Sequence, residues 1–229
     1  MMETVFDVIA SSYLQEDEHW GCDLDVVVQA IRPFLPRVAY ADIGCGPGFH
    51  VAAIARWFPE ASVTGVDYSL AMLAEAEREV RGFGLHNVSL VQANILEFKP
   101  ACTYHVLTCL NNTLGNLYAR NKTLAVIRRK AVRTMRSLLV PGGRLVLSVY
   151  DLEKFSSRYG GSFKILSQKS SIRRGDLFVE YTPLEGESVQ YYSHWFTESE
   201  FVRLLEQNGF KTEMLEKRLS RLVVIATAI

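Results

Sequence analysis

The sequence predicts an α/β fold built on a parallel sheet, with an antiparallel insertion after the fifth strand. Three observations carry this. Short apolar runs alternate with helical patterns over the first two thirds of the chain, the signature of consecutive strand–helix–strand units. A glycine-rich turn, "DIGCGPG" at 42–48, joins the first apolar run to the first helical stretch. After Tyr150 the rhythm changes to short aromatic-rich segments without helical spacing. The 229 residues, 48% of them hydrophobic, suffice for one folding unit with a core on both faces of a sheet.

The elements follow in order. Strands are expected near 37–43 ("RVAYADI"), 61–66 ("ASVTGV"), 88–92 ("VSLVQ"), 102–110 ("CTYHVLTCL") and 143–149 ("GRLVLSV"), with helices near 49–58, 69–83 and 119–139 between them. In the second of these helices Leu70, Met72, Leu73, Ala76 and Val80 share one face, and Ser69 stands at the N-cap. "VPGG" at 140–143 ends the third helix and turns the chain into the fifth strand. Residues 151–193 show no helix and read as two or three short strands turning at Arg174–Asp176 and at Glu185–Glu187. Thr197 and Glu200 then form a capping box, Gly209 ends that helix, and two strands near 210–216 and 221–228 close the chain.

Charge narrows the function classes. Twenty-five basic residues balance twenty-five acidic ones, so no global field draws in nucleic acid or anionic membrane. Locally, residues 1–30 carry seven acids and no base, whereas 120–136 carry seven bases (Arg120, Lys122, Arg128, Arg129, Lys130, Arg133, Arg136) and no acid. These read as two solvated faces, the alternative being a complementary contact within the chain or between the subunits of a homodimer. The four cysteines form no CxxC pair, and an acidic N-terminus with no long apolar run points to a cytoplasmic chain without a membrane segment. No Cys/His spacing suggests a metal site.

The glycine turn presents backbone N–H groups and the positive end of a helix dipole to a ligand. A dinucleotide fingerprint needs a small residue where Phe49 stands, which argues against a nicotinamide oxidoreductase, and no Gly-Lys-Ser/Thr follows to make a P-loop. What remains is Asp-x-Gly-x-Gly-x-Gly with Asp42 at one strand tip and a second acid, Asp67, at the next. Two carboxylates flanking a glycine turn suit a ligand with an ammonium group and a ribose diol.

On these residues the sequence resembles the class I S-adenosylmethionine-dependent methyltransferases, whose element order matches the chain from Val38 to Ile229. The resemblance implies a Rossmann-like seven-stranded sheet with a reversed last strand. It divides the chain into N-terminal lid helices (1–36), a cofactor-binding core (37–150), an antiparallel substrate cover (151–195), and a C-terminal helix with the last two strands (196–229). It further implies that Asp42, Gly44 and Gly46 hold the methionine end of S-adenosylmethionine, Asp67 the ribose, Tyr68 and Asn94 the adenine, with Cys45, Ile95 and Leu110 completing the site.

The acceptor is read at the end of the fourth strand, "TCLNNTLGNL". It lacks the Asn-Pro-Pro-aromatic motif of enzymes that methylate bases or glutamine side chains, and is similar to small-molecule N-methyltransferases of the glycine-methylating kind. Asn111 and Asn112 are therefore candidates for the acceptor side, with a plain turn after the strand as the equal alternative. Tyr13 matches a lid tyrosine, and the insertion adds Tyr150, Tyr159, Tyr191, Tyr192, Trp195 and His194, the last with His50 a candidate base. The expected function is methyl transfer to a small-molecule acceptor at nitrogen. The alternatives are an RNA methyltransferase using the basic stretch 120–136 and a non-catalytic cofactor-binding partner subunit.

Overall fold

The computed structural model describes residues 6, 7, 10, 23–118, 123–154, 163–172, 174–182 and 188–229. Seven strands form one sheet: β1 (Ala39–Ile43), β2 (Ser62–Asp67), β3 (Val88–Gln92), β4 (Tyr104–Cys109), β5 (Leu139–Tyr150), β9 (Phe210–Arg218) and β10 (Arg221–Ala228), in the order β3-β2-β1-β4-β5-β10-β9. β1 to β5 pair in parallel, and β10 lies antiparallel between β5 and β9. The reversed strand is thus present. Helices α1 (Leu24–Ile31), α2 (Phe49–Trp57), α3 (Leu70–Gly82), α4 (Leu124–Leu138) and α6 (Glu198–Glu206) accompany the sheet. One apolar layer holds Val27, Ile31, Ile54, Leu73 and Val223, and the other holds Leu107, Met135, Leu147, Phe201 and Val224. Even and odd strand positions feed opposite layers, as the two-residue period of a strand requires.

The expected caps form. Ser69 Oγ accepts from Met72 N at 3.1 Å and Thr197 Oγ1 from Glu200 N at 3.2 Å, each satisfying one orphan donor of a first turn. The Glu200 carboxylate turns to His194 instead of closing a reciprocal box. Two boundaries differ from expectation. β5 begins at Leu139, so "VPGG" lies inside the strand, where the β4–β5 register shifts between Tyr104 and Val106; the glycines make an irregularity rather than a turn. The described part of the helix near 119–139 starts at Leu124.

The insertion is a three-stranded antiparallel sheet of β6 (Phe163–Ile165), β7 (Asp176–Tyr181) and β8 (Val189–His194). Among the described residues of 151–193 there are two unexpected helical turns, a 3-10 turn at Leu152–Lys154 and α5 (Lys169–Ile172), both too short to leave a periodic signal. The expected turn at Glu185–Glu187 lies outside the described residues. Described N-terminal residues bridge this sheet to the core: Ala10 packs with Met72 of α3 and Tyr181 of β7.

Asn112 fastens the insertion to the sheet. With φ 62° and full burial, its Oδ1 accepts from Tyr150 N at 3.1 Å, while its Nδ2 donates to Ser193 Oγ at 3.0 Å. β8 lies flush on this loop, because a Cβ on Gly115 would stand 2.4 Å from His194 O. Asn112→Ala should therefore cost about 2–4 kcal/mol, the price of two buried groups left without partners. Urea unfolding checks this, and a loss below about 1 kcal/mol would mean that the loop is held by packing alone.

Candidate active site

The sheet reverses its winding between β1 and β4, and ligands of open α/β sheets bind in the crevice at such a switch point. The glycine turn lies at this crevice. Gly44 N and Cys45 N donate to Val66 O at 2.7 and 3.0 Å, which pins the turn to the end of β2. Gly44 and Gly48 have φ 72° and 87°, and their added Cβ atoms would meet Thr113 at 2.4 Å and Ala76 at 2.8 Å. Both are glycines because the loop after β4 and helix α3 press against them. At Gly46 a Cβ would meet nothing within 4 Å. The backbone there is open to a ligand.

Asp67 spans that opening. Its Oδ2 accepts from Gly46 N at 2.8 Å and its Oδ1 from Ser69 N at 2.9 Å, so each oxygen keeps a lone pair for a further donor. Burial pushes its carboxyl above the usual range against these backbone hydrogen bonds, and Asp7, accepting from Ser69 Oγ, adds to the rise. The Gly46 N–H is consequently engaged by Asp67.

Asp42 is buried between β1 and β4. Its Oδ1 accepts from Thr108 Oγ1 at 2.6 Å, and Thr108 Oγ1 lies 2.7 Å from the Tyr40 hydroxyl. Burial raises its pKa to about 7; the Thr108 bond opposes the rise and Asp67 adds to it. No cation pairs with it among the described residues. The sequence pointed to Asp42 but not to Thr108 and Tyr40, whose polar groups sit at ordinary strand positions.

The other expected cofactor residues are distributed around this centre. Tyr68 is half exposed beside Asp67, whereas Cys45, Ile95 and Leu110 are buried. Burial also pushes the Cys45 thiol up, which keeps it neutral and unreactive. Asn94 Oδ1 accepts from Leu96 N at 2.9 Å, an Asx turn that leaves its amide N–H groups for a ligand. Asn111, at φ 51°, receives a hydrogen bond from Arg221 on its Oδ1, and its own N–H donates to Ser148 Oγ at 2.9 Å.

His194 is placed close to the β4 loop by its backbone, but its ring is committed elsewhere. Nδ1 lies 2.9 Å from Asp176 Oδ1 and Nε2 3.0 Å from Glu200 Oε1. Arg128 Nη1 and Asp176 both bond the Tyr192 hydroxyl, so one polar chain runs from α4 through the insertion to α6. Burial raises the Asp176 carboxyl, yet bonds from His194 and Tyr192 and the Arg128 charge outweigh it and hold the pKa low. This network ties the insertion to α4 and α6. His50 is buried in the first turn of α2, edge-on to Phe49. Tyr13 and Tyr159 lie outside the described residues.

Of the seven bases, Arg120 and Lys122 lie outside the described residues. Three of the other five serve the fold: Arg128 is buried, Arg133 Nε donates to Asn208 at 2.9 Å, and Arg136 Nε donates to Gly209 O at 3.1 Å; Arg129 and Lys130 are exposed. The acidic N-terminal segment is answered from β9 and β10, where Arg218 pairs with Asp25 and Arg221 with Asp23. No described cluster of three or more His, Cys, Asp or Glu could hold a metal, and no described helix is long and apolar enough to cross a membrane.

The family model of a methyltransferase domain matches residues 41–143, from the glycine turn to the start of β5. Residues 41–143 carry a methyltransferase domain, and the whole chain has the fold of the class I S-adenosylmethionine-dependent methyltransferases. S-adenosylmethionine is the cofactor of this methyltransferase. Its sequence is 27% identical over 206 residues to the malonyl-[acyl-carrier protein] O-methyltransferase of Halalkalibacterium halodurans, covering 81% of this chain and 70% of that protein. The S-adenosylmethionine-bound amino pentose methyltransferase of calicheamicin biosynthesis from Micromonospora echinaspora shares the fold, with a TM-score of 0.67 at 23% identity, covering 100% of this chain and 98% of that one. The sugar N-methyltransferase KedS8 from Streptoalloteichus shares it too, with a TM-score of 0.67 at 20% identity over 98% and 95% of the two chains.

The Asp42 carboxyl makes the free methyltransferase pH-sensitive. Between pH 3.8 and about 7 the unfolded chain has released this proton while the folded chain still holds it. The unfolded state binds fewer protons in that window, so the contribution of Asp42 to stability falls as pH rises through it. A shift of this size amounts to about 4 kcal/mol by pH 8. Asp42→Asn keeps an acceptor for Thr108 and removes the charge, so it should raise stability at pH 8 and change it little below pH 4. Urea unfolding at both pH values checks the difference, and an equal effect at both would refute it.

Proposed function

We propose that this methyltransferase transfers the methyl group of S-adenosylmethionine to a small-molecule acceptor, at nitrogen. One observation carries the cofactor half: a buried carboxylate, Asp42, and a half-buried one, Asp67, frame the open backbone of Gly46 at the switch point. When bound, S-adenosylmethionine supplies a methyl group on a sulfonium centre. Asp67 would accept from the ribose hydroxyls with the lone pairs that Gly46 and Ser69 leave unused. Asp42, raised by burial and lacking a cation, would receive the positively charged methionine end. Tyr68 would lie against the adenine and the Asn94 amide would meet its edge, with Cys45, Ile95 and Leu110 as apolar walls.

Displacement at a methyl group asks the protein to align the nucleophile and exclude water, and a base is optional. The loop Asn111–Thr113 presses on Gly44, and the insertion with Tyr191 and Trp195 is docked on that loop through Asn112. The commitment of His194 to two carboxylates supports an acceptor that needs no protein base: the free-base form of an amine attacks with its own lone pair and gives up its proton to water afterwards, whereas a hydroxyl must lose a proton as it attacks. The likeness of "TCLNNTLGNL" to small-molecule N-methyltransferases supports the same atom. Structural use of Arg128, Arg133 and Arg136 weakens the reading of α4 as a phosphate track.

Calorimetric titration with S-adenosylhomocysteine tests the cofactor half. Asp67→Ala should lose roughly 1.5–3 kcal/mol of affinity, the range for bonds to a charged group. It should also lose some stability, since Gly46 N and Ser69 N lose their acceptor; unchanged affinity would remove Asp67 from the site. In the wild type, affinity should rise about tenfold between pH 6 and 8, as a pKa of about 7 requires of a ligand cation that selects the ionised form of Asp42. In Asp42→Asn that rise should vanish.

A further inference from the structure

Arg221 opens β10 directly opposite Tyr150, the last residue of β5, and so lies at the carboxyl-end edge of the parallel strands. Its guanidinium is 4% exposed, and Nη1 reaches two groups, Asn111 Oδ1 and Asp23 Oδ2, the latter at 3.2 Å. Nη2 is buried without a hydrogen-bond partner. Asp23 is equally unusual. It is 1% exposed, occupies the N-cap of α1, and makes no side-chain capping bond. Its distance to Arg221 exceeds the usual 2.7–2.9 Å or so of a charge-assisted bond, and the hydrogen-bonding group beside it is the Ser148 hydroxyl rather than the guanidinium fork. Burial raises its carboxyl even against the Arg221 charge.

An arginine fork of five donors is matched by a planar carboxylate that accepts two parallel bonds. Asp23 does not supply that match. It holds the charge of Arg221 at a distance while forgoing the position for which its residue type is favoured, acceptor to the first-turn N–H groups of α1. We propose that Arg221 is the carboxylate-binding residue of the acceptor site and that Asp23 keeps its place in the free protein. On this view the acceptor bears a carboxylate apart from the nitrogen that is methylated. Its binding takes the Arg221 fork, and Asp23 turns to cap α1. The bond from Arg221 to Asn111 ties the event to the end of β4. This inference rests on the reading of the site as a small-molecule methyltransferase centre.

The test uses the full chain loaded with S-adenosylhomocysteine. Its binding is measured first, and failure there would overturn the proposed function rather than this inference. Acetate and malonate are then compared with acetamide and malonamide, at constant ionic strength, by ligand-observed NMR. The carboxylates should bind and the amides should not, and Arg221→Gln should abolish the difference. Asp23→Ser keeps a helix cap and removes the competing charge, so the carboxylates should bind roughly tenfold more tightly, the order of one charge-assisted bond. A purely structural ion pair predicts the opposite pattern, lower stability in Asp23→Ser with no gain in affinity. That pattern, or equal binding of acids and amides to the wild type, would overturn the proposal.

Discussion

A carboxylate buried between two parallel strands without a cation is the constraint around which the site is built. Asp42 lies where β1 pairs with β2 on one side and β4 on the other, and among the described residues its carboxylate accepts one side-chain hydrogen bond, from Thr108. A polar group so placed costs stability unless partners surround it. The fold supplies them sparingly: a threonine on β4, a tyrosine behind it, and a glycine turn pinned by β2. Everything that closes on the crevice leans on this arrangement, since Gly44 admits the β4 loop and Gly48 admits α3 only because neither has a side chain.

The charged residues follow a different logic. Most of the notable ones fasten elements together. Arg218 and Arg221 secure the start of α1, Arg133 and Arg136 secure the end of α6 and the C-terminus, and Arg128 enters the chain through Tyr192, Asp176 and His194. Within this chain each ring nitrogen of His194 has a carboxylate oxygen at hydrogen-bond distance. The cover is therefore held as a unit on the core by Asn112 at one point and by the His194 chain at another.

How much of this was legible in the sequence depended on whether a signal was local. The glycine turn, the Ser69 and Thr197 caps and the strand–helix alternation are local, and the structure has them where expected. Asp67 was legible because its place after β2 is fixed relative to the turn. Pairings between distant segments leave no local trace. Nothing near Asp23 announces Arg221, and nothing near Thr108 announces Asp42. Nothing near His194 announces that Asp176 and Glu200, 18 and 6 residues away, bracket its ring. The acceptors of Arg133 and Arg136 are equally remote, a side chain at 208 and carbonyls at 209 and 229.

Two charges stand apart from this economy of satisfied partners, and they have opposite sign. Asp42 has no cation, and Arg221 has a poorly matched anion. Both lie at the carboxyl-end edge of the sheet, one toward β1 and the other toward β5 and β10. Residues arranged for folding alone would not leave such groups buried, since a neutral side chain of similar shape would be cheaper at either position. Their persistence is understood if the missing partners arrive with the ligands: a cation at the glycine turn from the cofactor, an anion at β10 from the acceptor. Between them lies Asn111, bonded to Arg221 and one residue beyond Leu110. The loop that carries it touches both halves of the site. On the proposed reading the two molecules still have to be brought into line, and opposite charges on either side of one loop would provide that alignment.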